Sequence, residues 1–131
     1  MATIINELRE TFRRGNIYIR LIYINVAVFV LTTLCGVIVQ LFNRSLSGLY
    51  EWFELPASPA RFIVQPWSIL TYMFMHGGLL HILFNMLWLY WFGALFLQFF
   101  TSKHLRGVYL LGGICGGILY ICLLYTSDAA D

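Results

Sequence analysis

Residues 79–99 read LLHILFNMLWLYWFGALFLQF, and this stretch decides the fold because it contains no Asp, Glu, Lys or Arg. It lies inside a longer segment, residues 62–102, that lacks the same four residue types. At 1.5 Å per residue, a helix over residues 79–99 is about 31 Å long, which is enough to cross the hydrocarbon core of a bilayer. We therefore predict a membrane-spanning helix over residues 79–99.

Two other stretches are apolar and long enough to span a membrane. Residues 21–41 are uncharged, and Arg20 at their start can extend its side chain to the headgroups. Residues 105–125 predict a further span. Residues 43–78 contain three prolines and several aromatic residues, which predicts a mostly helical loop partly embedded in the membrane. The predicted fold is an all-α polytopic membrane protein with three transmembrane helices.

The composition indicates that lipid is part of the solvent of this chain. Of its 131 residues, 60% are hydrophobic and 11% are charged, whereas soluble domains carry about 25% charged residues. The net charge is +2 and the basic residues flank apolar stretches, so we expect the lipid bilayer as a partner and no nucleic acid. The three cysteines have no zinc or redox spacing, and we expect neither a metal nor an organic cofactor.

The N-terminal segment, residues 1–16, places its apolar residues on one side of a helix: Ile4, Ile5, Leu8 and Phe12. This pattern predicts an amphipathic helix on the membrane surface, and a frayed, solvated terminus is the alternative. Six basic residues precede the first span or lie between the second and third, whereas two lie in the loop. The positive-inside rule then predicts a multi-pass protein of the cell (inner) membrane with a cytoplasmic N-terminus.

The third predicted span contains two pairs of glycines with a spacing of four, Gly112 with Gly116 and Gly113 with Gly117. This pattern predicts a smooth helix face against which another backbone can pack closely. The chain then ends on a polar tail, residues 126–131. We expect this tail to be an artefact at the end of an incomplete gene product, and an ordinary polar terminus is the alternative.

Two polar residues stand inside the second predicted span. His81 and Asn85 are four residues apart, so they project from nearly the same helix face, which Trp88 continues. If buried there, they could supply hydrogen-bond donors for an oxyanion hole, or they could tie neighbouring helices together. The spacing leaves both readings open. His76 would lie about 140° away on a continued helix, which disfavours a metal site.

The sequence of residues 67–88 resembles the second-helix region of rhomboid intramembrane proteases. Residues 74–85 carry the pattern F-x-H-x-x-x-x-H-x-x-x-N, which opens the second helix of that family's six-helix core. Such polar spacing inside an apolar stretch is specific. The resemblance covers the chain from about residue 21 to residue 125.

The resemblance implies a function and a role for each matching residue. Residues 17–125 would be part of a rhomboid domain, half of the six-helix core, in a serine endopeptidase that cleaves transmembrane protein substrates. His81 and Asn85 would stabilise the oxyanion, and His76 and Trp67 would be structural residues near the site. The pattern indicates no particular oligomeric state.

The sequence departs from the family pattern in several places. Ser68 follows Trp67 where the family often has Arg, and Gln98 and Ser102 stand where Glu and Gly often occur. These departures concern the anchoring of the loop.

The largest departure is that the 131 residues contain no G-x-S-G motif, which carries the family's nucleophile, and no matching histidine base. His104 lies in a basic turn instead. We therefore expect this fragment to be inactive alone. One alternative is a non-catalytic rhomboid-like protein that binds membrane proteins in quality control. An unrelated transporter is disfavoured, because the first and third spans lack ionisable residues in their interiors.

Overall fold

The computed structural model describes the backbone of residues 1–130 and the side chains of residues 1–127, so Asp131 of the predicted polar tail lies outside it. Seven α-helices and a 3-10 turn make up this part of the chain, which contains no strand. In chain order they are α1 (Ala2–Arg14), α2 (Ile17–Leu41), α3 (Ser47–Phe53), α4 (Pro59–Val64), α5 (Ser68–Thr71), the 3-10 turn (Tyr72–Phe74), α6 (Leu79–Phe99) and α7 (Ser102–Ala130). The predicted all-α fold is confirmed.

Three of these helices, α2, α6 and α7, are long and apolar enough to cross a membrane. The bounds of α6 agree with the stretch expected from the sequence. α2 begins at Ile17, four residues earlier than expected, because the helix continues past the uncharged stretch through Arg20. α7 begins at Ser102 and continues through most of the polar tail to Ala130, since a helical backbone bonds to itself whether or not its side chains are apolar.

The loop between α2 and α6 is folded into one unit. Gln65 is 6% exposed, and its amide nitrogen donates hydrogen bonds to the carbonyl oxygens of Glu51 at 3.0 Å and Glu54 at 3.2 Å. Ser68 is fully buried, and its hydroxyl donates to the carbonyl oxygen of Gln65 at 2.7 Å. These bonds hold α3, α4 and α5 together, with Ser68 as an internal anchor.

Aromatic side chains complete the loop and attach it to the first span. Trp52 and Trp67 stack with ring centroids 5.6 Å apart and planes 5° from parallel. The indole nitrogen of Trp67 donates to the carbonyl oxygen of Trp52 at 2.8 Å. The Tyr50 hydroxyl donates to the carbonyl oxygen of Thr32 on α2 at 2.7 Å. Trp67 therefore stabilises the loop itself.

A glycine brings α2 and α6 close together. A Cβ atom built on Gly93 of α6 would lie 2.6 Å from the Cβ of Tyr18 on α2. The Tyr18 ring then packs edge-to-face against Tyr90, with centroids 5.6 Å apart. Close backbone approach of this kind is a main source of helix association in lipid.

The glycine face of α7 accepts side chains of the loop. A Cβ on Gly113 would overlap the end of the Met73 side chain, and one on Gly117 would lie 2.5 Å from the Cδ1 of Ile69. Nothing lies within 4 Å of a Cβ at Gly112. At Gly116, the Tyr72 hydroxyl would be in ordinary contact at 3.6 Å. Two of the four glycines of the predicted packing face, Gly113 and Gly117, thus receive side chains of the 3-10 turn and α5.

We expect Gly93→Ala to lower the free energy of unfolding by about 1–3 kcal/mol, the range for overpacking a close contact. The clash is with the Cβ of Tyr18, which cannot move without its backbone, so α2 and α6 must separate. Gly112→Ala is the matched control, because the added methyl meets open space and alanine favours the helix. Thermal unfolding of the two variants in detergent measures the difference. Equal melting temperatures would contradict the contact.

Candidate functional site at the start of the second span

A short turn leads the chain into α6 and brings two histidines together. Met75 and Gly78 are both extended, and the helix begins only at Leu79. His76 is therefore not part of the helix, and the turn directs it back toward the helix. Its ring contacts that of His81 edge-to-face, with centroids 5.2 Å apart. The 140° separation expected for a continued helix does not apply, because the helix does not continue.

His81 and Asn85 lie one turn apart on an open flank of α6. Both residues are exposed, whereas Ile82 and Gly93 mark the buried side of this helix. Burial of the pair was expected from the sequence, and the two side chains are exposed because the described elements leave most of this flank uncovered. Neither side chain donates a hydrogen bond to another described residue.

A cavity of about 300 Å³ lies beside this flank, where α2, α6, α7 and the 3-10 turn meet. Its polar lining residues are Asn25, Tyr72, His76, Asn85 and Tyr109. Asn85 thus lines this cavity and is also exposed at the surface of α6. The helix packing brings together polar groups that are up to 84 positions apart in the sequence.

Asn25 is a buried polar residue that the sequence analysis did not single out. Its side chain is fully buried, and its amide nitrogen donates to the Leu21 carbonyl oxygen at 2.8 Å and to the Tyr109 hydroxyl at 3.0 Å. The amide oxygen is buried without a partner among the described residues. Its sequence signal was a carboxamide in the uncharged stretch of residues 21–41, which also holds Gln40 near its end. The bond to Tyr109 links α2 to α7.

Tyr72 ties the loop to α7. Its hydroxyl donates to the backbone carbonyl oxygen of Gly113, and a Cβ on Gly117 would lie 3.2 Å from Cε1 of the Tyr72 ring. Burial raises the pKa of the Tyr72 hydroxyl, so it stays protonated and donates at neutral pH.

His76 is held as a neutral group. Burial lowers the pKa of its imidazole, and the neighbouring His81 acts in the same direction, against the opposing effect of the Phe74 carbonyl. Nδ1 of His76 lies 3.2 Å from that carbonyl oxygen. His76 and His81 offer two nitrogen ligands, but within the described part of the chain no third His, Cys, Asp or Glu joins them in a metal-binding group.

We expect Tyr109→Phe to lower the free energy of unfolding by about 0.5–2 kcal/mol, near the range measured for interhelical hydrogen bonds in lipid. The variant keeps the ring and removes the oxygen that accepts from Asn25. A double-mutant cycle with Asn25→Ala, measured by denaturant unfolding in detergent, gives the interaction free energy between the two side chains. Additive losses would show that the two side chains are not coupled.

We expect the protein to lose stability as the pH falls below about 6.5, the ordinary pKa of histidine. Because the folded pKa of His76 is lowered, the unfolded chain binds the proton more readily, so folding is most favoured above that pH. Melting temperatures between pH 5 and pH 8 measure the effect. The His76→Gln variant should flatten the profile, whereas His104→Gln, at an exposed position, should not. An unchanged slope in His76→Gln would exclude this assignment.

Comparison with known proteins gives the family. A family model described as Rhomboid domain matches residues 64–130, which contain His76, His81 and Asn85. Two curated proteins of Arabidopsis thaliana are similar: RHOMBOID-like protein 7, 37% identical over 65 residues, and RHOMBOID-like protein 2, 36% identical over 63 residues.

These matches cover 50% and 48% of this chain and 20% of each relative, so the matching stretch spans about one fifth of the length of those proteins. No solved structure gives a significant match. The family model covers half of the chain and includes the complete histidine and asparagine pattern of residues 74–85. The chain belongs to the rhomboid family.

Proposed function

We propose that this chain is part of an intramembrane serine endopeptidase that cleaves transmembrane protein substrates, and that His81 and Asn85 donate hydrogen bonds to the oxyanion. The observation that carries the proposal is that both side chains lie on one open flank of α6, one turn apart. Neither side chain donates a hydrogen bond within the described chain, and the His76 ring contacts the face or edge of His81 only. Both are therefore available to the carbonyl oxygen of a bound substrate.

The chemistry requires donors placed in advance where negative charge develops. When a serine attacks a peptide carbonyl, the carbonyl oxygen becomes negatively charged, and donors held nearby lower the barrier. Neutral imidazole and carboxamide groups both supply an N–H for this purpose. His76 supports the arrangement through its ring contact with His81. The 131 residues hold no G-x-S-G motif, so we propose that they do not hydrolyse substrates by themselves.

A second candidate is a non-catalytic rhomboid-like protein that binds membrane proteins for quality control. The observation that favours it is the apolar character of the same flank, where Trp88 and Phe92 are exposed beside the two polar groups. A transmembrane helix could bind there through apolar contacts and a hydrogen bond. Cleavage by the full-length protein distinguishes the two candidates.

We expect His81→Ala and Asn85→Ala to reduce kcat of the full-length protein, each by roughly 10²–10³, the effect of removing one oxyanion donor. Reconstitution in vesicles with a transmembrane substrate and quantification of the cleaved product provides the measurement. His104→Ala is the matched control, because this histidine lies in the first turn of α7, beyond the far end of α6, and its Nδ1 contacts the Thr101 hydroxyl at 2.8 Å. If the full-length wild-type protein binds the transmembrane substrate but does not cleave it, the non-catalytic candidate is favoured.

We expect a fluorophosphonate probe to label no serine of the isolated 131-residue chain. Such probes react with serines that an adjacent base has activated. In-gel fluorescence after incubation in detergent, with an active serine hydrolase as the positive control, measures labelling. A labelled serine would show that the chain is sufficient for nucleophilic chemistry and would overturn its proposed inactivity.

A further inference from the structure

We propose that α1 is a membrane-surface helix that binds anionic lipid headgroups, with its apolar side among the acyl chains and with Arg9 and Arg13 at the lipid phosphates. This inference does not depend on the proposed protease function. It concerns a part of the chain that lies outside the matched rhomboid domain.

The connection to α2 fixes the height of α1. α1 ends at Arg14 and α2 begins at Ile17, so only Gly15 and Asn16 separate the surface helix from a membrane-spanning helix. A Cβ on Gly15 would lie 2.6 Å from the carbonyl oxygen of Thr11, which shows how tight this corner is. A link of two residues cannot carry α1 away from the headgroup region.

Arg20 fixes the angle of the corner. From the first turn of α2, its guanidinium donates to the carbonyl oxygens of Phe12 at 3.1 Å and Arg13 at 2.8 Å. These carbonyls lie at the C-terminal end of α1, where helix carbonyls lack partners. The Phe12 ring then contacts Tyr23 of α2, with centroids 6.1 Å apart. The apolar side of α1 is therefore continuous with the lateral surface of α2, which faces lipid.

Apart from the contact of Phe12 with α2, the apolar side of α1 has no protein cover within the described chain. Four large side chains on this side are between 40% and 61% exposed: Ile4, Ile5, Leu8 and Phe12. Exposed apolar rows of this kind are normally covered by lipid or by protein. A bilayer fits here, because α1 is attached to the end of a span.

The charges on α1 are arranged for an anionic surface. On a helix of 3.6 residues per turn, Arg9 lies about 60° and Arg13 about 100° from Phe12 in the same direction, so both cations lie along one edge of the apolar side. Glu7 and Glu10 lie about 140° and 160° from Phe12, on the side turned to water. Glu10 pairs with Arg14 at 3.4 Å, whereas Arg9 and Arg13 form no ion pair among the described residues. Basic residues beside an apolar face attract anionic lipids.

The test measures the depth of α1 in the complete chain. The three native cysteines, Cys35, Cys115 and Cys122, are replaced by alanine. A fluorophore is then placed through Ile5→Cys or Glu10→Cys. The labelled chain is reconstituted in vesicles of phosphatidylcholine, with or without phosphatidylglycerol, and quenched by brominated lipid or aqueous iodide. We expect lipid quenching at position 5 and iodide quenching at position 10, with deeper insertion when phosphatidylglycerol is present.

Charge removal tests the headgroup contact. Arg9→Gln and Arg13→Gln should each shift the ratio of inserted to detached helix about fivefold toward the detached state in phosphatidylglycerol, with little change in phosphatidylcholine. Arg44→Gln and Arg61→Gln, in the loop on the other side, are the matched controls. The proposal would be overturned if iodide quenched the fluorophore at position 5, or if insertion did not depend on phosphatidylglycerol. It would also be overturned if position 5 were shielded from iodide only in a cross-linked dimer.

Discussion

Helices in a bilayer cannot rely on the hydrophobic effect to hold them together, because lipid chains are as apolar as their side chains. The contacts that remain are close backbone approach and hydrogen bonds. In this chain the first is provided by Gly93, which admits Tyr18 to the surface of α6. The second is provided by Asn25, whose amide joins α2 to α7 through Tyr109. The relative placement of the three spans depends on these contacts.

The geometry of the candidate site at the start of α6 depends on that packing. The loop reaches α7 because Gly113 and Gly117 leave space for its side chains, and the Tyr72 hydroxyl then closes the contact. The last residues of the loop form the turn before α6. His76 consequently stands against His81, and the exposed flank of α6 begins beside a polar cavity. The contacts that anchor the loop on α7 therefore also determine where the two histidines lie.

Much of this could be predicted from the sequence, because the bilayer imposes simple rules. An uncharged stretch of the right length has to form a helix, so α6 could be located closely from residues 79–99 alone. The family could be inferred from the spacing of three polar residues before and within that helix. The partners of individual side chains could not be predicted, since Asn25 and Tyr109 are 84 positions apart and no local sequence pattern relates them.

Two other features escaped prediction for physical reasons. The contact between His76 and His81 depends on α6 starting at Leu79, and helix starts are set by turn geometry that periodicity does not encode. The exposure of His81 and Asn85 depends on which elements cover their flank, which hydropathy does not reveal.

The connection between α6 and α7 has a consequence for biosynthesis. Only Phe100 and Thr101 separate these two spans. A link of this length holds the end of α6 beside the start of α7, and since both helices are apolar, inserting them together leaves neither one in water. The pair therefore enters the membrane as one helical hairpin. The loop before it, residues 43–78, packs on α7 through Ile69 and Met73, so its final packing requires this hairpin to be in place.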